Sequence, residues 1–386
     1  MISGLQFRRR PRPSHVVLLV VPVAVILALM VGNASADHVS CGDKITTDTR
    51  LDSDLVNCPN NGIVIGATNV TLNLNGHTID GDGERFAACP RDKICDVGVV
   101  SVGHDGIAVV GGSARQFDVG VLVGSARRAR VLDVSSAQNR LFGFVVFNSV
   151  RSLVRDSLGS ANLAPDGDGM GLFGSHDVRI LHNTFRHNPG PGIHIDESTD
   201  NLIQGNLFSQ NAPAIFISAS NRNQVRGNRI VRDREGILVA PGNRNVIARN
   251  RVYQAVGGIG IEVGRGNLVA RNIVVGARRT GIRLGIGEPS LGGSSNVVRG
   301  NLVRGGGGDG FVVFRRDDHS LLRRNVAVGA GDDGFDVRSR TTTLTSNRAV
   351  RNADLGIEAV RGVIDGGGNR ASGNEDRRQC VNVRCH

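Results

Sequence analysis

Apolar residues recur in short alternating runs along most of the chain. The runs include GIHID from Gly192, AIFIS from Ala214, GILVA from Gly236 and GFDVR from Gly334. In each run two apolar residues flank a variable one, which is the period of a β-strand with one buried face. A helical repeat would instead place apolar residues three and four positions apart. The pattern therefore predicts an all-β chain built from many short strands.

Asparagine recurs at an interval of 22 residues, with two longer steps between Asn272 and Asn325. One series is Asn201, Asn223, Asn245 and Asn267; a second, five residues later, is Asn206, Asn228, Asn250, Asn272, Asn301, Asn325, Asn347 and Asn369. A repeat that turns several times per period predicts one coil of a solenoid per period. Residues one period apart then stack about 4.8 Å apart, and their amides can bond as a ladder. We assign these asparagines to the fold and none to function.

The repeats resemble a known family. DNLIQGN, RNQVRGN, RNVIARN and the opening NVTLNLNGHTIDGDG from Asn69 are similar to the right-handed parallel β-helix repeats of the pectate-lyase-like superfamily. The resemblance covers Ile63 to Asn374. It implies a single-stranded right-handed parallel β-helix of about a dozen coils, each of about 22 residues, with capped ends. The superfamily includes pectate lyases, polygalacturonases, mannuronan epimerases and a periplasmic protein that loads copper.

The resemblance is specific for fold and does not name a reaction. Polygalacturonases place an Asp pair ahead of Gly-His-Gly, and Asp332-Asp333 has no such successor. The Asp-Pro-His-Asp motif of mannuronan epimerases is also absent from the sequence.

The ends of the chain predict export and capping. Arg8, Arg9 and Arg10 precede an uncharged apolar run and the small residues 34–36, so residues 1–36 are predicted to be a cleaved bacterial signal peptide. The run is shorter than the roughly 20 apolar residues that span a bilayer. We predict an N-terminal cap at 37–61, coils at 62–374 and a C-terminal cap at 375–386, because open coil ends expose strand edges.

Six cysteines fit an oxidising compartment. Their spacing favours three local disulfides, which are Cys41–Cys58, Cys89–Cys95 and Cys380–Cys385. No pair has the C-x₂-C spacing of structural zinc sites. Together with the predicted signal peptide, the cysteines predict a secreted, extracellular or cell-surface protein.

The chain is basic, with a formal net charge of +11. Its arginines are scattered among acidic residues, so charge blocks typical of nucleic-acid binding are not apparent. We expect no nucleic-acid partner, no membrane contact after signal cleavage, and a monomer. An acidic extracellular polysaccharide suits such a surface. The absence of Trp and the single Tyr provide few platforms for stacking neutral sugars.

Carboxylates concentrate near the C-terminal end. The repeat places Asp309 and Asp333 in one column and Asp336 and Glu358 in another. Such carboxylates repel unless a cation or a shared proton relieves them, and calcium prefers oxygen ligands. Asp-Gly is also ordinary turn chemistry, which leaves Asp336, expected to face outward, as the carboxylate that turns do not explain. The candidate calcium ligands are Asp309, Asp332, Asp336 and Glu358.

The resemblance implies roles for these residues, since pectate lyases hold calcium beside an arginine base. Arg338 would be that arginine, Asp333 and Asp336 would be catalytic, and Arg315 would bind substrate. An arginine base is chemically demanding because its ordinary pKa exceeds about 12.

A second polar patch centres on GIHIDES. His194 and Asp196 share one face of a strand, Glu197 follows, and Asp168 and Asp166 lie one coil earlier. A histidine beside carboxylates can serve as general acid or base, so His194 is a catalytic candidate and Asp196 and Glu197 are candidate substrate ligands. A solvent-facing polar strand is the alternative. A copper site formed by His176, His187 and His194 is a further alternative.

The sequence therefore predicts a secreted β-helix protein that binds or acts on acidic extracellular polysaccharide. If it is catalytic, we expect lyase-type elimination or hydrolysis, with calcium as the candidate cofactor. A non-catalytic adhesion scaffold and a metallochaperone-like, copper-binding protein are the alternatives that the sequence leaves open.

Overall fold

In the computed structural model, residues 38–85, 89, 94–163, 165, 167–287 and 291–386 are described. The predicted signal peptide and Asp166 lie outside these ranges. All regular secondary structure in the described ranges is β-strand, with no α-helix. No helix in this part of the chain is therefore long and apolar enough to cross a membrane.

The strands form two parallel sheets that wind around one core. Sheet A contains one strand from each coil, fifteen in all. Its strands are Asp43–Ile45, Ile63–Ile65, Val97–Val102, Val119–Gly124, Phe142–Phe147, Asp168–Phe173, Ile193–Asp196, Ile215–Ser218, Glu235–Val239, Gly257–Ile261, Ile282–Leu284, Phe311–Val313, Phe335–Val337, Ile357–Ala359 and Cys380–Val381.

Sheet B contains two strands from most coils, separated by a corner. The strands before the corner are Thr49–Arg50, Thr71–Asn73, Leu153–Arg155, Arg179–Leu181, Leu202–Gln204, Gln224–Arg226, Val246–Ala248, Leu268–Ala270, Val297–Arg299, Leu321–Arg323, Thr343–Thr345 and Ile364–Asp365. Those after it are Leu55–Cys58, Thr78–Gly81, Leu158–Ser160, Thr184–Arg186, Leu207–Ser209, Arg229–Val231, Arg251–Tyr253, Ile273–Ala277, Leu302–Gly306, Val326–Val328, Arg348–Val350 and Arg370–Ser372. Ala108–Arg115 and Arg130–Ala137 run through the corner, and Ser220–Asn221 pairs with Gly242–Asn243 in a small third sheet.

The core follows from the alternation in the sequence. Ile193, Ile195, Ile215 and Ile217 are fully buried, because each coil turns the same two positions of its sheet A strand inward. Phenyl rings also stack between coils, with Phe311 and Phe335 at 4.6 Å between centroids. The predicted all-β solenoid is confirmed.

Buried asparagines bond from coil to coil. The Asn201 side-chain amide donates to Asn223 Oδ1 at 2.9 Å, and the Asn223 backbone N–H donates to Asn245 Oδ1 at 2.9 Å. A third ladder, whose steps vary in length, is not apparent in the sequence. It passes through Asn139, Asn162, Asn188 and Asn211 and ends at Asp233.

Short strands continue the parallel sheet into both segments that are predicted to cap the coils. Asp43–Ile45, within the predicted N-terminal cap, pairs in parallel with Ile63–Ile65. At the other end, Cys380 pairs with Ile357. The short strands of these outer coils lack the repeated Asn corners, which is why the periodicity did not show them. The three predicted disulfides are all formed.

Candidate functional site

The outward-facing residues of sheet A stack in a column along the solenoid. In order they are Gly171, His194, Phe216, Leu238, Gly260, Arg283, Val312, Asp336 and Glu358. We call this surface the sheet A face. It carries His194 of one predicted polar patch and Asp336 and Glu358 of the other, at opposite ends.

One member of the column was predicted wrongly. The run GIEVG from Gly260, with the same alternation as the other runs, predicts Glu262 between Leu238 and Arg283, whereas Gly260 occupies that position. The segment GIGIEVG alternates throughout, so a shift of two residues leaves the same side chains pointing inward. Glu262 nevertheless pairs with Arg283, at 2.6 Å between Oε1 and a guanidinium nitrogen.

Three carboxylates converge at the turn that precedes sheet A. Asp309, Asp332 and Asp333 each offer an oxygen, and these oxygens all lie within 4.8 Å of one another. We call these residues the acidic cluster. Asp309 and Asp333 also have a structural role, because Asp309 Oδ1 accepts the Asp333 N–H and Asp333 Oδ1 accepts the Leu355 N–H at 2.9 Å. Asp332 is exposed, and no such backbone bond is made by its carboxylate.

The acidic cluster favours protons or cations. Burial, reinforced by the neighbouring carboxylates, raises the pKa of Asp309 to about 6. Burial and the charges of Glu358, Asp309 and Asp332 raise the pKa of Asp333 to about 8. Asp333 thus resists ionisation near neutral pH, and Asp309 resists it in mildly acidic solution, unless positive charge is supplied.

Asp336 holds its predicted place above Val312 and below Glu358, but it is not exposed. Only 4% of its surface is accessible, because the Arg338 guanidinium lies against its carboxylate, with Nε 2.7 Å from Oδ2. Glu358 is exposed. Asp336 therefore points outward from the sheet, as predicted, but the side chain of Arg338, two residues away, shields it from solvent.

The contact with Asp336 also bears on Arg338. The hydrogen bond to that carboxylate raises the pKa of Arg338 above its already high ordinary value. A general base must release its proton, so this environment opposes the role that the resemblance implies. The guanidinium remains about half exposed and lies 5.4 Å from the ring of Phe314, which suits binding of an anionic group.

His194 lies at the other end of the sheet A face. Its Nδ1 is 3.6 Å from Oδ2 of the buried Asp168, and its ring packs between two phenyl rings. The ring centroids are 5.6 Å from Phe173 and 5.1 Å from Phe216. Asp196 lies on the same face, as predicted, in register with Ser218. Six coils separate His194 from Asp336, which is about 29 Å at the usual strand spacing.

The remaining candidates are dispersed. His176 is in the corner after a sheet A strand, in register with Thr199, and His187 is in a different corner, beyond sheet B. The structure therefore does not bring the three histidines together. Glu197 and Arg315 are exposed in turns at the end of their sheet A strands. Within the described ranges, the acidic cluster is the one group of three potential metal ligands.

A groove between the two ends was not predicted. Its lining includes Glu235, Arg279, Arg283, Ile286 and Phe314, and it encloses about 210 Å³. Burial raises the pKa of Glu235. The insertion that follows Leu284 forms one wall, and only its position in the sequence could have indicated a groove here.

Comparison with known proteins agrees with this architecture. The family model described as right handed beta helix region matches residues 52–237, 168–327 and 235–377. The chain belongs to this family of right-handed parallel β-helix proteins. No curated protein matches the chain.

Two solved structures illustrate the likeness. The A-module of the mannuronan C-5 epimerase AlgE4 from Azotobacter vinelandii is 13% identical, with 78% of this chain and 91% of that one covered and a TM-score of 0.52. The catalytic domain of GH87 alpha-1,3-glucanase, in complex with tetrasaccharides, is 11% identical, with 86% and 63% covered and a TM-score of 0.50. At such identities the likeness shows the fold alone.

Proposed function

We propose that the sheet A face binds an acidic polysaccharide along the solenoid axis and acts on it at the acidic cluster. The observation that carries the proposal is the convergence of Asp309, Asp332 and Asp333 within 4.8 Å beside Arg338. Two solved β-helix structures with a TM-score of at least 0.5 are named for proteins that act on polysaccharides, which supports a polysaccharide as substrate. The choice of an acidic one rests on Arg283 and Arg338 of this chain.

The spacing of the cluster favours cation-assisted chemistry over inverting hydrolysis. Inverting glycosidases keep their two carboxyl groups roughly 6.5–9.5 Å apart so that a water fits between them. Carboxylate oxygens within 4.8 Å of one another can instead share one calcium ion, whose ligand distances are about 2.3–2.6 Å. When bound, the ion would neutralise a uronate carboxylate and acidify the neighbouring C–H.

Residues at different positions on the sheet A face would have different roles. Arg338 would bind a substrate carboxylate, because its guanidinium is half exposed and anchored by Asp336. Arg283, held by Glu262, would bind another in the groove. Asp333, which is ionised when a cation is bound, would accept the proton removed from the substrate C–H, and the leaving glycosidic oxygen would take its proton from water. His194, with Phe173 and Phe216, would form a distal subsite.

Incubation with polygalacturonate and with alginate tests this proposal. Unsaturated products, seen by ultraviolet absorbance, indicate elimination, and new reducing ends without absorbance indicate hydrolysis. We expect absorbance that depends on calcium and is lost in Asp332→Asn. Reducing ends without absorbance would overturn the elimination chemistry, and failure to bind either polymer would overturn the proposal.

A non-catalytic binding module is the second candidate. The raised pKa of Arg338 favours it, since no other arginine adjoins Asp336 in the described hydrogen bonds. Binding of polygalacturonate with neither product would establish this role. We also propose secretion, which the three disulfides support because such bonds persist in oxidising compartments.

A further inference from the structure

The fold sorts arginines onto a surface away from the sheet A face. The sheet B segments from Arg179 to Val350, namely 179–186, 202–209, 224–231, 246–253, 268–275, 297–304, 321–328 and 343–350, contain several arginines but no Asp or Glu. Six of these arginines lie at the same corner of four successive coils. These six, which we call the arginine ridge, are Arg249, Arg251, Arg271, Arg299, Arg323 and Arg324.

Register and burial explain why these side chains converge. Arg299 and Arg323 pair directly between coils, and the Arg271 N–H donates to the Arg299 carbonyl. Asn250 and Asn272 point into the core at the same corner, so the residues on either side point outward. All six arginines are exposed. The result is a linear row of cations with one or more per coil, spaced about 4.8 Å along the axis.

The ridge lacks the counter-charges found elsewhere on the protein. Arg115, Arg140 and Arg222 pair with Asp80, Asp118 and Asp200. None of the six ridge arginines forms an ion pair with a described carboxylate. A row of unpaired, weakly hydrated guanidinium groups is suited to carboxylate or sulfate groups, which they bind in a forked geometry.

The backbone at the ridge favours a smaller residue. Arg249, Arg271 and Arg324 have positive φ angles of 57°, 55° and 53°, whereas the equivalent corners in other coils contain Gly227 and Gly300. A left-handed conformation costs an L-residue about 1–2 kcal/mol. The fold alone would thus accept glycine at these three positions.

We propose that the arginine ridge binds a linear polyanionic glycan that carries carboxylate or sulfate groups. A single-stranded nucleic acid fits less well, because its binding depends on stacking platforms and Tyr253, two residues from Arg251, is covered by Arg229 at 4.9 Å. A duplex needs an element that enters a groove, and this corner is a regular turn between two strands of sheet B. The arginine ridge would bind the same class of polymer as the sheet A face in the proposed function, but it includes none of the residues named there.

Isothermal titration calorimetry with oligogalacturonate in chelator tests the ridge. The triple variant Arg249→Gly, Arg271→Gly, Arg324→Gly should fold normally and bind about tenfold more weakly, given up to 1 kcal/mol per lost exposed charge pair. A control with the same change in net charge is Arg128→Gly, Arg151→Gly, Arg244→Gly, at left-handed positions of another corner. We expect this control to bind as wild type.

Equal weakening by the two triple variants would overturn the ridge, because it would show only a net-charge effect. Tighter binding of a single-stranded oligonucleotide, or of phosphatidylglycerol vesicles, than of oligogalacturonate would also overturn it. The Asp332→Asn variant separates the two proposals. It should abolish turnover while leaving ridge binding in chelator unchanged, so either proposal can fail without the other.

Discussion

The Oδ1 atom of Asp309 accepts the backbone N–H of Asp333, one coil further along, at 3.1 Å. This bond satisfies a backbone donor at the turn, and it also fixes two carboxylates close together. The fold thus explains one oxygen of Asp309, and the same carboxylate belongs to the acidic cluster. Asp309 thus acts both as a hydrogen-bond acceptor for the backbone and as a charged member of the acidic cluster. Substitutions can separate these two roles.

Asp309→Asn should keep the acceptor and remove the charge. We expect folding stability to fall less steeply between pH 5 and pH 9 in this variant, because Asp333 would lose one of the charges that raise its pKa. A carboxyl group with a raised folded-state pKa contributes its full stability below its unfolded pKa, and that stability is lost as pH rises through the folded value. Urea denaturation at several pH values measures the slope.

Asp309→Ala provides the comparison. It removes the acceptor as well, and it should cost about 1–3 kcal/mol at all pH values because the Asp333 N–H loses its partner. If Asp309→Asn and Asp309→Ala behave alike, the backbone bond does not contribute as the structure indicates.

Calcium should raise the melting temperature of the wild-type protein, and more at pH 8 than at pH 5. Cation binding requires ionised carboxylates, and the pKa values of Asp309 and Asp333 are about 6 and about 8. Asp332→Asn should abolish the increase without loss of stability in chelator, since Asp332 is exposed. Magnesium, which demands a tighter octahedral site, is the control ion. An unchanged melting temperature in calcium would remove the cation from the proposal.

The sequence predicted the architecture because its cause is periodic. Asn223, Asn245 and Asn267 recur every 22 residues, so the repeat shows both the coil and its ladder. Two features of the sheet A face were not visible in the sequence. The burial of Asp336 depends on the direction of the Arg338 side chain, and the register at Gly260 depends on a choice between two equivalent alternations.

The arginine ridge shows a different limit of sequence reading. Along the chain, Arg271 and Arg299 are 28 residues apart and separated by acidic Glu288. Stacking brings the two arginines together, since the Arg271 N–H donates to the Arg299 carbonyl. Residues distant in sequence are therefore neighbours in space, which composition and local charge patterns cannot show.

His194→Phe should preserve function at the distal subsite. The ring of His194 packs between Phe173 and Phe216 and lies too far from the acidic cluster to share its chemistry. We expect binding of oligogalacturonate and turnover to be retained in His194→Phe. His194→Ala should weaken binding about threefold to tenfold through lost ring contacts. Loss of turnover by about 10² or more in His194→Phe would instead show that the imidazole transfers protons.

Asp233→Asn should change the pH dependence of stability. Asp233 ends the third ladder, and burial raises its pKa to about 7. The contribution of the Asp233 carboxyl group to folding stability is therefore complete below about pH 4 and declines as pH rises toward 8. The free energy of unfolding of Asp233→Asn, relative to that of wild type, should therefore increase by about 2 kcal/mol between pH 5 and pH 8. This follows from 1.4 kcal/mol per pKa unit, with allowance for relaxation.

Asp200→Asn is the matched control for that prediction. Its hydrogen bond to Arg222 lowers the pKa of Asp200, so its stabilising effect is lost only as pH falls below about 4. The difference in the free energy of unfolding between Asp200→Asn and wild type should be constant between pH 5 and pH 8. A slope for Asp233→Asn equal to that control would show that the end of the ladder is ionised at no extra cost.

Asn250→Ala should destabilise the fold by about 3 kcal/mol, because a buried donor left without a partner costs about 1–3 kcal/mol. Asn250 Oδ1 accepts the backbone N–H and the side-chain amide of Asn228, both at 3.0 Å, and its own amide donates to Asn272. Asn243→Ala removes a similar set of bonds from an exposed corner, where water can replace them, and should cost under about 1 kcal/mol. Urea denaturation followed by circular dichroism compares the two variants. Equal costs would mean that the ladder stabilises the coils through its geometry rather than through the burial of its hydrogen bonds.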